Sequence, residues 1–130
     1  MSFPHYHQPD AMDCGPTCLR MIAKYFGKHF SGDTLRQISG FGKEGVSLLG
    51  ISDSAERIGF RTRGVLLSYR QLVTDANLPA ILHWGQNHFV VMLPNRGKNK
   101  IRIADPAKGF LTFTKNEFLQ KWISTQSGDE

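Results

Sequence analysis

The chain has 130 residues, which suits one domain with a single core and leaves little room for a second. Hydrophobic content of 40% and charged content of 21% exclude disordered and fibrous architectures. A net charge of +5 would suit nucleic acid or an anionic membrane, but the basic residues are spread along the chain, so no nucleic-acid partner is expected.

Their clearest cluster, Arg96, Lys98, Lys100 and Arg102, surrounds Asn95 to Asn99, which reads as a solvated hairpin turn. No apolar run approaches the roughly 20 residues that cross a bilayer. The start, Met1 to Tyr6, lacks the basic and apolar regions of a secretory signal, so the expected compartment is the cytosol. Walker A, dinucleotide and EF-hand motifs are absent.

The first predicted element is a helix from about Cys14 to Phe26. Asp13 is its candidate N-cap, Pro16 is tolerated in the first turn, and Gly27 is a left-handed stop. Leu19, Ile22, Ala23 and Phe26 form one apolar stripe, leaving Arg20 and Lys24 to water. Cys14 then sits at the positive end of a helix, where exposed N–H groups and the dipole favour a reactive thiolate.

Thr34-Leu35-Arg36-Gln37 has capping-box spacing and predicts a short second helix over Leu35 to Ser39. Ser47 caps a third through Ala55 and Ile58, ending at Gly59. Phe60 to Leu67 reads as a strand, and Tyr69 to Asp75 as a short helix or turn. Four further strand candidates follow: Ala80 to Trp84, His88 to Leu93, Lys100 to Ala104 and Gly109 to Phe113. A last helix, Asn116 to Ile123, follows the capping-box pattern Thr114 to Glu117 and buries Phe118, Leu119 and Trp122. Helices first and an antiparallel meander second give an α+β domain.

A cysteine at a helix start, a histidine opening a strand and an acid just after the next strand are the parts of a thiol nucleophile system. Cys14 is the candidate nucleophile, His88 its general base and proton donor, and Asp105 the carboxylate that fixes the histidine tautomer. Alternation along His88 to Leu93 leaves the face of His88 open. Gln8, six residues before Cys14, can donate its amide to a developing oxyanion beside a backbone N–H of the helix start. Cys18 reads as a small buried apolar residue, since a bridge to Cys14 within one helix is awkward. His83 reads as structural or cleft-lining, and His5, His7 and His29 as exposed. A zinc site from Cys14, Cys18, His83 and His88 is the weaker reading, because the two pairs lie far apart and zinc explains neither Gln8 nor Asp105.

Gln8 with Asp13-Cys14-Gly15-Pro16-Thr17-Cys18-Leu19, Pro79-Ala80-Ile81-Leu82-His83-Trp84, His88-Phe89-Val90-Val91 and Ile103-Ala104-Asp105-Pro106 together resemble the C39 peptidase family. The resemblance implies a papain-like fold over residues 1–124, with 125–130 as a polar tail or the start of a linker. It implies a cysteine endopeptidase that removes leader peptides after a Gly-Gly or Gly-Ala motif from bacteriocin or peptide-signal precursors. Carried over, Cys14 is the nucleophile, His88 the acid/base, Asp105 the histidine orienter and Gln8 the oxyanion donor.

The implied partners are the leader peptide and the transmembrane and nucleotide-binding domains of an ABC exporter, in a longer chain on the cytoplasmic side of a membrane. No cofactor is expected for the peptidase itself, ATP acting only at a separate domain. A cleft narrow enough for glycine or alanine would give the selectivity, and Met12 and Trp84 are its candidate walls, with core positions as the alternative. A non-catalytic leader-docking domain and a free-standing cysteine hydrolase are the competing readings.

Overall fold

In the computed structural model, residues 3–39, 47–64, 67–74, 78–85, 88–94 and 100–122 are described. The segment around Cys14 is the pivot of the chain. A 3-10 turn at Ala11–Asp13 runs directly into helix α1, Cys14–Tyr25. Cys14 to Leu19, Met21 and Ala23 of α1 are all buried, so the helix is covered on more than one side and serves as a core element. This is broader than the expected stripe. Phe26, placed in that stripe, is 54% exposed and meets Tyr25 and Phe60 edge-on.

Arg20 is not left wholly to water: its Nε donates to the Phe30 carbonyl at 2.9 Å and its guanidinium lies 3.8 Å from the centre of the Tyr6 ring. The helix ends before Gly27, whose φ of 87° is the left-handed conformation expected there.

Helix α2, Gly32–Ile38, begins earlier than the Thr34 pattern suggested. Ser31 is the cap: its hydroxyl accepts from the Thr34 N–H at 3.0 Å and donates to the Thr34 hydroxyl at 2.9 Å. Helix α3, Leu48–Arg57, is capped by Ser47 through the Gly50 N–H, as its sequence signals required. Leu19, Leu35 and Ala55 join α1, α2 and α3 in one apolar cluster.

Phe60–Gly64 and Leu67 form no strand; Val65 and Leu66 lie outside the described residues. The local donors are satisfied by α3 instead. Phe60 N–H reaches the Ala55 carbonyl at 3.0 Å, and Thr62 N–H the Glu56 carboxylate at 3.1 Å. Helix α4 covers Tyr69–Thr74.

The second half is the expected meander. Strands β1 (Ala80–Trp84), β2 (His88–Met92), β3 (Ile101–Asp105) and β4 (Gly109–Phe113) lie in that order, each antiparallel to its neighbour. The hairpin expected at Asn95 to Asn99 lies outside the described residues. Side chains alternate between two covered faces. Ile81, Phe89, Val91 and Ala104 pack with Cys14, Cys18 and Met21 of α1. Leu82, Trp84, Val90, Met92, Ile101 and Ile103 pack with Leu72 of α4 and Phe118 of α5, Lys115–Lys121.

Burial of both faces explains why β2 reads as an unbroken apolar run rather than an alternating one. Helix α5 carries the full capping box between Thr114 and Glu117. Among the described residues no helix is long and apolar enough to cross a membrane.

Candidate active site

Three elements converge on Cys14. It is the first residue of α1, and its side chain is 5% exposed against β2 and β3. His88 opens β2 and Asp105 closes β3, so antiparallel pairing brings residues 17 positions apart to the same end of the sheet. His88 Nε2 lies 2.8 Å from Asp105 Oδ1, and the histidine also hydrogen-bonds the Cys14 side chain. With Nε2 turned to the carboxylate, Nδ1 is the nitrogen left for the sulfur. Cys14, His88 and Asp105, widely separated in sequence, are therefore brought together.

The electrostatics favour a charged imidazole. The Asp105 hydrogen bond, followed by the Cys14 hydrogen bond, raises the His88 pKa to about 9, although partial burial pulls the other way. Burial pushes the Asp105 carboxyl up. Hydrogen bonds from His88 and the Ala107 N–H, with the charges of His88 and Lys108, outweigh it and hold Asp105 below the usual carboxylate value. Asp105 is only 2% exposed, and Oδ1 accepts from both His88 and Ala107. Its orientation is therefore fixed by two partners.

The N-terminal segment crosses the turn that carries Asp105. Gln8 N–H donates to the Pro106 carbonyl at 2.8 Å, and His5 Nε2 bonds the Asp105 carbonyl at the same distance. His5 is thus part-buried rather than exposed, its ring edge-on to Phe110. Sequence reasoning missed this contact because the partner is a backbone oxygen 100 positions away. His7 and His29 are exposed as expected. The Gln8 side chain turns to the next turn of chain, where Nε2 donates to the Asp10 carbonyl at 2.9 Å, and its buried Oε1 has no partner among the described residues. An amide has two N–H bonds, so Nε2 retains a second donor.

Asp13 occupies the N-cap position of α1 but does not cap it with its side chain. Its carboxylate is held instead by Arg36 of α2, with Nε to Oδ1 at 2.9 Å and Nη2 to Oδ2 at 2.6 Å. Capping is done one turn earlier, where the Asp10 carboxylate accepts from the Met12 N–H at 3.0 Å. Cys18 is fully buried and donates to the Phe89 carbonyl at 3.3 Å. Burial, then the charges of Cys14 and Asp105, raise its pKa, which makes it an inert packing thiol.

The two candidate cleft walls separate. Met12 is half-buried on the turn that leads into Cys14. Trp84 is 5% exposed and packs on Phe113 and Phe118 at 5.4 and 5.5 Å between ring centres, so it takes the core alternative. His83 stacks on Phe89. Among the described residues no group of three or more His, Cys, Asp or Glu could hold a metal ion.

A helical half that presents a cysteine to a histidine on an antiparallel sheet is the arrangement of a papain-like cysteine peptidase. The Peptidase C39 family pattern matches residues 2–126, and the chain belongs to that family. The chain is 35% identical over 114 residues to the colicin V secretion/processing ATP-binding protein CvaB of Escherichia coli, covering 88% of this chain and 16% of that one. It is 35% identical over 121 residues to the lactococcin-G-processing and transport ATP-binding protein LagD of Lactococcus lactis, covering 89% and 17%. It therefore spans about a sixth of the length of these relatives.

Two solved structures share its fold closely. One is a double glycine motif protease from an AMS/PCAT transporter in complex with the leader peptide, at a TM-score of 0.89 and 28% identity over 95% of this chain and 87% of that one. The other is the peptidase domain of Streptococcus ComA, a bi-functional ABC transporter, at 0.86 and 29% over 95% and 94%.

Proposed function

We propose that the chain is the Cys-His-Asp peptidase unit of an ABC exporter, cutting leader peptides from precursor peptides after a double-glycine motif. The observation that carries this reading is the contact of His88 with both Asp105 and Cys14 at the start of α1. Likeness to a double glycine motif protease holding a leader peptide supports the substrate. Likeness to secretion/processing ATP-binding proteins supports the partners: membrane and nucleotide-binding domains in a longer chain, with the peptidase on the cytoplasmic side. ATP acts at the nucleotide-binding domain, and the peptidase chemistry needs no cofactor.

In this mechanism the Cys14 thiolate attacks the carbonyl carbon of the second small residue, forming the C–S bond. The oxyanion takes hydrogen bonds from Gln8 Nε2 and the Cys14 backbone N–H. His88, held as imidazolium by Asp105, gives its proton to the leaving amine as the C–N bond breaks. His88 then accepts a proton from water as it adds to the thioester, and the thiolate leaves.

The test is cleavage of a synthetic peptide carrying an amphipathic leader, Gly-Gly and a short cargo, with products mapped by mass. A single cut after the second glycine is expected, and its loss when that glycine becomes valine. Cutting elsewhere, or indifference to valine, contradicts the assignment.

A further inference from the structure

The Asp13–Arg36 pair lies immediately before the nucleophile. Asp13 is 2% exposed, and both of its carboxylate oxygens are engaged by one planar guanidinium, so its orientation is set from α2. At an N-cap position a free carboxylate ordinarily turns back onto N–H groups two or three residues ahead. Here the third residue is Pro16, which has no N–H, leaving Gly15 as the usual target, beside the sulfur-bearing residue. The carboxylate makes no such bond.

We infer that Arg36 is a positioning residue for Cys14: its fork draws the Asp13 carboxylate off the start of α1 and keeps that end of the helix positive beside the sulfur. This rests on the reading of Cys14 as nucleophile. Without Arg36, a buried carboxylate one residue away opposes the thiolate directly and competes for the first-turn N–H groups. Among the described residues, His88 on β2 and Cys18 on α1 also bear on the thiol, and Asp105 on β3 bears on both of them. Asp10 and Asp33 lie within electrostatic reach of Arg36 itself, and Lys108 of Asp105. The substitutions below leave all of these in place.

The experiment is the pH profile of Cys14 alkylation by iodoacetamide, from about pH 5 to about pH 9, with the modified residue mapped by mass. Arg36→Gln is expected to move the acid limb upward by about one pH unit, a roughly tenfold slower reaction on that limb. Arg36→Lys, which keeps the charge without the fork, is expected to fall between it and wild type. The neutral pair D13N/R36Q is expected to return to the wild-type limb, which a merely structural role would not produce.

An upward-shifted double variant overturns the inference. So does coincidence of Arg36→Gln with wild type, or of Arg36→Lys where Arg36→Gln does not fold. A wild-type profile that is that of an ordinary thiol and is unchanged by His88→Ala rejects instead the reading of Cys14 on which the inference rests.

Discussion

His88 Nε2 stands 2.8 Å from Asp105 Oδ1, and that one bond joins the ends of two adjacent strands directly beside the start of α1. Asp105 is further attached through Oδ1 to the Ala107 N–H and through its carbonyl to His5 and to the Lys108 N–H. The histidine is therefore aligned by a carboxylate that is itself unable to swing.

The raised pKa of His88 makes stability depend on pH in a defined direction. A folded value of about 9 against an ordinary 6.5 means that the contribution is fully present below 6.5 and is lost as pH rises through 9. Thermal melting is expected to fall between those limits in wild type, and that fall is expected to be smaller in His88→Ala. The basic limb of kcat/KM is expected near 9 if, as proposed, the imidazolium is the proton donor to the leaving amine.

Asp105→Asn removes the charge that holds His88 protonated. The basic limb is expected to move down toward 6.5, and kcat/KM to fall by about 10²- to 10⁴-fold. His88→Ala is expected to lose more than Asp105→Asn, since it removes the proposed acid/base itself. Peptide cleavage rates across pH check both, and full activity in either variant rejects the triad.

Gln8→Ala removes the amide donor while leaving the backbone bond from Gln8 N–H to Pro106 available. Expected is a fall in kcat of about 10²- to 10³-fold with KM little changed, the pattern of an interaction made only in the transition state. A rise in KM alone would make Gln8 a substrate-binding residue.

Cys18→Ala and Phe118→Ala separate packing from chemistry. Cys18 is buried and bonded to the Phe89 carbonyl, so its removal is expected to lower stability slightly and leave cleavage in place. Phe118 is fully buried between Trp84, Tyr69 and Trp122, and truncation is expected to cost about 3–5 kcal/mol by chemical denaturation.

The parts of this fold written in local chemistry were legible. Ser47 and Thr114 cap the helices they were expected to cap, and the four strands fall within a residue or so of their apolar runs. Cys14, His88 and Asp105 were identifiable by residue type, but their meeting depends on strand pairing and on α1 lying across the sheet. What escaped the sequence was decided by partners far along the chain.

Asp13 looked like a cap because nothing nearby reveals Arg36, 23 positions on. Phe60 to Leu67 looked like a strand because its apolar and β-branched residues are those of one, yet α3 takes the Phe60 and Thr62 N–H groups. Trp84 looked like a cleft wall by proximity to His88, and strand alternation turns it into the opposite core with Phe118.

The most direct test of the central claim is the cleavage rate of one double-glycine leader peptide by wild type and by Cys14→Ala, on folded protein at equal concentration. Wild type is expected to release the leader after the second glycine and Cys14→Ala to release none above background. Equal rates for the two would contradict Cys14 as the nucleophile, and with it the mechanism built on His88 and Asp105.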